Sequence, residues 1–332
     1  MTIDPSKVEA IRRKALEKTG GVSFAMRVEN GGAFSWASEG ERETARPIYS
    51  ISKSFIGALT LLAHERKLLS LEDEIGRFVA GLPEWVRPMT LWELLCHRSG
   101  LSDYGFTEEY KTRLKNDPTR PPSREGLQKI VFSQGMKFER GASFLYANVG
   151  YQFVTEALEK AYGSSFSEML ARKIAEPLGL TDTRQWRTQD DLLASAPGRS
   201  NFWGDDRDVR ATYSVGWSAH PQILSTTKDV ISFFRAVLSG KFLSEDSIRR
   251  IRNPYRIDYP HVWYEPSYGP GFLGDVHSRY GSLLGNNGGG PGYSSSVYCR
   301  EKNGEVIYAC VLMGTDAVSA EDLVLEILTT QT

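Results

Sequence analysis

Ser50-Ile51-Ser52-Lys53 is the stretch whose reading decides the fold of this chain. A serine followed three residues later by a lysine can be a nucleophile that carries its own base. If Ser50 opens a helix, position i+3 lies on the same face one turn on, and the two side chains meet. Lysine serves as a base when desolvation and neighbouring charge lower its pKa enough to leave a neutral amine. Pro47-Ile48-Tyr49 reads as an extended approach, and Ile51, Phe55, Ala58, Leu59 and Leu62 then recur at helical spacing. Ser50 therefore falls at a helix N-terminus, where unpaired N–H groups and the positive dipole end favour developing negative charge. The competing reading is a capping serine and a solvated lysine.

Ordinary usage of Ser and Lys gives roughly one such spacing by chance in a chain of this length. A second copy is present, Ser225-Thr226-Thr227-Lys228. There Ser225 or Thr226 caps a helix over Asp229–Leu238, with Asp229 three residues after Thr226 as in a capping box with a shorter acid. Two further segments favour the first copy. In Tyr146-Ala147-Asn148, the phenol, with an ordinary pKa of about 10, needs the nearby Lys53 cation to become a useful base. Asn148 offers an acceptor and donors, so it can orient Lys53 and grip a substrate amide. In Gly285-Asn286-Asn287-Gly288-Gly289-Gly290-Pro291-Gly292, the missing Cβ atoms let backbone approach a ligand closely; the alternative is a bare turn between strands.

On these segments the chain resembles the serine β-lactamase and penicillin-binding protein superfamily, for which S-x-x-K is a signature. It is most similar to class C β-lactamases and the related esterases and D-amino-acid peptidases. Leu91–Leu101, Phe144–Tyr151, Pro177–Thr183, Ser225–Asp229 and Gly288–Ser295 carry the likeness, in the family's order, from about residue 20 onward. The resemblance implies that Ser50 is the nucleophile, Lys53 its base and Tyr146 the proton shuttle to the leaving group. It implies an oxyanion hole from the N–H groups of Ser50 and Gly289, and substrate contacts from Asn148, Asn286, Asn287 and Gly288. Where relatives carry Lys-Thr-Gly or His-x-Gly, this chain has Asn286-Asn287-Gly288. One positive charge is thus missing, which speaks against recognition of β-lactams or of substrates with a free carboxylate.

Other chemistries fit poorly. The glycine cluster lacks the Gly-Lys-Ser/Thr ending of a phosphate loop. His64, His97, His220, His261 and His277 are scattered, with no His-x-x-x-His and no Cys-x-x-Cys, so no metal site is expected. His97 reads as a structural turn histidine. Gly-x-Ser-x-Gly does not surround Ser50. Of Trp203, Trp217, Trp263, Tyr264, Tyr268 and Phe272, two or three are expected to reach the substrate and the rest to fill cores.

The chain has 332 residues, 40% hydrophobic, with 40 basic residues against 41 acidic. That balance gives no electrostatic case for nucleic acid or an anionic membrane. No segment reads as a signal peptide or a membrane span. Cys96, Cys299 and Cys310 are an odd number of thiols, consistent with a reducing compartment, so a cytoplasmic location is expected.

The expected fold is α/β (α+β), an antiparallel sheet flanked by helices with an inserted, mostly helical domain. Residues 1–66 and 215–332 form the sheet domain and 67–214 the insert. Strands are read at 21–29 and 33–38 as a hairpin, then at 294–300 and 306–313. Helices are read near 91–96, 150–161, 166–176, 229–238 and 320–328. The expected function is a serine hydrolase acting without a cofactor on small esters or amides, carboxylesterase first. A D-amino-acid peptidase, amidase or weak β-lactamase is the near alternative, and a non-catalytic binding protein of the same fold the distant one.

Overall fold

The computed structural model describes residues 4–19, 23–40, 42–259 and 263–330. Its centre is an antiparallel sheet of eight strands: β1 (Phe24–Asn30), β2 (Gly32–Ala37), β3 (Tyr255–Arg256), β4 (Ser267–Tyr268), β5 (Leu273–Asp275), β6 (Ser282–Gly290), β7 (Tyr293–Lys302) and β8 (Glu305–Met313). Their spatial order is β2-β1-β8-β7-β6-β5-β4-β3. The first hairpin, joined at Gly31 with φ 67°, pairs with the last strand, Phe24 opposite Met313. The two ends of the chain thus share one sheet. Gly21 and Val22 of the expected hairpin lie outside the described residues.

Alternation explains why the sheet is covered on both faces. In β8, Tyr308, Cys310 and Leu312 belong to one core, while Ile307, Ala309, Val311 and Met313 belong to another. The second core is closed by α1 (Pro5–Thr19), through Val8, Ile11 and Ala15, and by α6 (Ala320–Thr330), through Leu323, Val324, Ile327 and Leu328. The first core holds α2 (Ser52–Glu65), α3 (Leu91–Leu95), α4 (Asn148–Tyr162) and α5 (Thr227–Leu238). α2 is buried on nearly every side; Gly57 lets it touch the chain at Pro270, where a Cβ would lie 2.1 Å from a carbonyl oxygen.

The expected helices are present with shifted ends. The run from Phe166 to Leu178 is one continuous helical stretch whose middle, Leu170–Ala175, is wound more widely. Sequence periodicity missed a three-stranded sheet in which Gln222–Ser225 lies between Arg46–Pro47 and Arg184–Trp186. These strands are two to four residues long, too short to show alternation. They matter because the middle one runs beside the Ser50 turn: Ile48 N donates to Ile223 O at 3.0 Å and Ile223 N to Ser52 Oγ at 3.1 Å.

Candidate active site

Ser50 does not open the long helix, as its spacing suggests. It sits in a tight turn, Tyr49–Ile51, and α2 starts at Ser52. Tyr49 has φ 43°, a left-handed backbone that a bulky residue adopts only under constraint. The constraint is visible: the Tyr49 ring is buried against Trp186 and Tyr293, and its hydroxyl donates to Pro291 O at 2.8 Å. The space its ring occupies is what Gly290 leaves free, since a Cβ there would lie 2.5 Å from the ring.

Around Ser50 Oγ the polar groups converge. Lys53 Nζ lies 3.0 Å away, and the Tyr146 hydroxyl donates to the same oxygen at 2.6 Å. Lys53 Nζ also donates to Asn148 Oδ1 at 2.7 Å and sits 4.7 Å from the centre of the Tyr146 ring. The i, i+3 meeting of Ser50 and Lys53 survives the shift in helix start because the turn and α2 are continuous. Lys53 has no exposed surface. Burial pushes its ammonium well below the usual lysine range, and the Asp103 carboxylate pulls the other way. Burial likewise pushes the Tyr146 phenol well above its usual range. Burial thus favours the neutral amine at Lys53 and the protonated phenol at Tyr146.

β6 brings the glycines to the turn. A Cβ at Gly288 would lie 2.1 Å from Ile48 O and 2.9 Å from Ser50 N, so only glycine lets the strand pass so near. A Cβ at Gly289 would meet nothing within 4 Å, so this residue faces open space. Asn286 differs from expectation. Its amide nitrogen donates to Gly271 O at 2.9 Å, Ser54 Oγ at 3.0 Å and Ser50 O at 3.3 Å, and the residue is 4% exposed. Its amide nitrogen braces the Ser50 turn, and the residue also borders the cavity that runs past Tyr268. The Asn287 amide is turned to the hydroxyls of Tyr298, at 2.9 Å, and Tyr259, at 3.4 Å.

Two cavities meet at Ser50. One, of about 680 Å³, runs past Asn148, Tyr104, Tyr110, Trp217 and His220. The other, of about 570 Å³, runs past Phe144, Tyr146, Tyr268, Asn287 and Glu321. Of the six aromatics singled out in the sequence, Trp217 and Tyr268 reach these cavities. Phe272 is in the core, Trp263 packs on Tyr298, Trp203 lies against Phe202, and Tyr264 is exposed.

Three polar residues near the serine escaped the sequence reading. His220 Nε2 lies 3.1 Å from Lys53 Nζ, and Gln222 Nε2 lies 2.9 Å from the same ring nitrogen. Their signal was faint: two polar residues two apart, His220 in the bend before the short strand and Gln222 at its start. The third, Asp103, accepts from Asn148 N at 2.6 Å and Gly105 N at 2.7 Å, which fixes the start of α4. Burial pushes its carboxyl up, against those two hydrogen bonds and the Lys53 charge. His97, with φ 56°, accepts from Ala147 N at 3.1 Å through Nδ1. It holds the Tyr146 segment in place and does not reach Ser50 by any hydrogen bond described. His261 lies outside the described residues.

Comparison with known proteins bears on the fold and the family. Penicillin-binding protein 4* of Bacillus subtilis is 26% identical over 270 residues, 75% of this chain and 56% of the relative, so the chain spans little more than half that relative's length. A D-stereospecific amidohydrolase from Streptomyces sp. superposes with a TM-score of 0.82 at 21% identity, covering 97% of this chain and 99% of the other. D-amino acid amidase from Ochrobactrum anthropi SV3 superposes with a TM-score of 0.79 at 22% identity, covering 98% and 96%. The family model described as Beta-lactamase matches residues 15–331, nearly the whole length, and the chain belongs to this family of serine hydrolases.

Proposed function

We propose that the chain hydrolyses small amides, and esters of the same acyl groups, through an acyl-enzyme on Ser50. The observation that carries this reading is the double contact of one oxygen: Ser50 Oγ is 3.0 Å from an amine whose pKa burial lowers and 2.6 Å from a phenol whose pKa burial raises. The Lys53 lone pair takes the hydroxyl proton as Oγ bonds to the carbonyl carbon. The carbonyl π pair moves onto oxygen, between the N–H groups of Ser50 and Gly289. As the bond to the leaving group breaks, Tyr146 gives that group its proton, and the proton held on Lys53 restores the phenol. Water then cleaves the acyl-enzyme by the same route in reverse, the Ser50 oxygen leaving with a proton.

The sequence alone put carboxylesters first. The proton inventory weighs toward amides, because an amine leaves only when protonated, whereas an alkoxide of low basicity leaves with less help. The solved relatives named as a D-stereospecific amidohydrolase and a D-amino acid amidase support the same class. We assign the cleft to the meeting of two lobes, residues 1–66 with 215–332 and residues 67–214. The test is mass spectrometry after a fluorophosphonate probe, followed by a panel of D- and L-amino-acid amides, p-nitrophenyl esters and a chromogenic cephalosporin. One adduct on Ser50 and turnover of amides are expected; a folded protein with no adduct at Ser50 would instead be a binding protein.

A further inference from the structure

His220 is the group beside Lys53 that the reaction scheme above leaves unused. Two nitrogens converge on its Nε2, Lys53 Nζ at 3.1 Å and Gln222 Nε2 at 2.9 Å. The Gln222 amide nitrogen can only donate, so His220 Nε2 carries a lone pair and the ring proton is on Nδ1, toward Ser218 Oγ at 3.4 Å. A neutral Lys53 has two N–H bonds and one lone pair, and three groups lie within reach of its nitrogen. Asn148 Oδ1 can only accept, and His220 Nε2 only accepts in this tautomer. The two N–H bonds are thereby consumed, and the lone pair is left for the third neighbour, the Ser50 hydroxyl.

We propose that His220 is a positioning residue for the base: by accepting one N–H of Lys53 it aims the amine lone pair at the Ser50 proton. After proton transfer the same three neighbours accept the three N–H bonds of the ammonium, so neither form needs the site to rearrange. The idea rests on Lys53 being the base. The titratable and charged groups around His220 are Lys53 from α2, His97 and Asp103 from the segment after α3, Tyr104 through its bond to Ala219 N, and Tyr151 from α4. Burial holds the ring neutral, and the charge Lys53 gains on taking the serine proton acts in the same direction.

The experiment compares His220→Phe, which keeps a ring of similar size but has no acceptor, with His220→Gln, whose amide oxygen reaches the place of Nε2. His220→Phe should lower kcat roughly ten- to a hundredfold, part of the full effect of a positioned base, with KM little changed. It should also move the acid limb of kcat/KM to lower pH by about one unit, because an acceptor that favours the ammonium is gone. His220→Gln should restore the limb and most of the rate. A purely structural histidine would lower the folded fraction without moving the limb. If Lys53→Met keeps its rate, the base assignment itself fails; if Lys53→Met is inactive while folded His220→Phe keeps both rate and limb, only the role of His220 fails. The unaltered protein gives an independent check: ring-nitrogen NMR shifts must show a protonated Nδ1 and a bare Nε2 on His220, and a protonated Nε2 overturns the proposal even where a variant does not fold.

Discussion

Lys53 is a lysine with no exposed surface, and its state couples the chemistry to the stability of the fold. In the unfolded chain it is charged up to its ordinary pKa, whereas burial lowers the folded value well below that. Between the two values the unfolded state binds the extra proton, so stability rises with pH there, by up to about 1.4 kcal/mol per pH unit for a single group. Lys53→Met removes this dependence. Urea melts at pH 7.5 and 9.5 should show the wild type gaining on Lys53→Met as the pH rises, while the variant loses at least about a hundredfold in turnover. A stability difference that stays flat across that range would mean Lys53 is charged when folded. Asn286 teaches the opposite lesson about single residues. The sequence showed that a cation is absent there but not what the amide does instead. Its bonds to Ser50 O, Ser54 Oγ and Gly271 O depend on long-range approach that no local pattern encodes. Asn286→Lys, an obvious way to restore the charge, would break the brace as well and is a poor test of specificity.

The two Ser-x-x-Lys copies differ by the element that carries them. Around Ser225 the motif is a strand running into α5: Thr226 caps the helix by accepting from Asp229 N at 3.3 Å, Ser225 Oγ pairs with Thr183 Oγ1 at 2.8 Å, and Lys228 is exposed. Ser225→Ala should keep probe labelling and turnover and cost about 0.5–1.5 kcal/mol for one buried hydrogen bond; loss of labelling with the fold intact would mean the wrong serine was chosen. The glycine strand gives a sharper contrast. Gly288→Ala puts a methyl group into Ile48 O and should cut turnover at least about a hundredfold, the scale of losing an oxyanion donor. Gly289→Ala points into open space and should be read mainly in KM. Similar losses in kcat at both positions would refute the close approach of β6 to the serine turn. At this scale the long elements were legible because their apolar period is long: the strands at 293–302 and 305–313 and the helices at 148–162 and 227–238 came within a few residues. The strands at 46–47, 184–186 and 222–225 were not, and with them went His220, whose place beside Lys53 exists only once Gln222–Ser225 pairs with the chain entering the Ser50 turn.

Across the whole molecule charge is nearly balanced, yet the cleft is not neutral. Lys53 apart, the described residues lining the two cavities include the carboxylates of Asp103, Asp316, Asp258 and Glu321 and no lysine or arginine. Residues far apart in sequence supply them, which is why composition, with 40 basic residues against 41 acidic, could not show the bias. Concave walls of one sign focus their field on whatever enters. A substrate carboxylate would approach these groups with no cation to receive it, losing the roughly 1.5–3 kcal/mol that a charge-assisted hydrogen bond contributes elsewhere. For a matched pair, one neutral amide or ester and its free-carboxylate counterpart, kcat/KM should favour the neutral member by about tenfold or more, a difference of about 1.4 kcal/mol. Raising the ionic strength should narrow the gap, since salt screens the carboxylates nearer solvent more than the buried ones. Penicillins and cephalosporins, which carry a carboxylate beside the scissile ring, should accordingly be poor substrates. An enzyme that turns over the carboxylate member faster would require a cation supplied from outside these linings, and the charge argument would fall while the Ser50–Lys53–Tyr146 geometry stood.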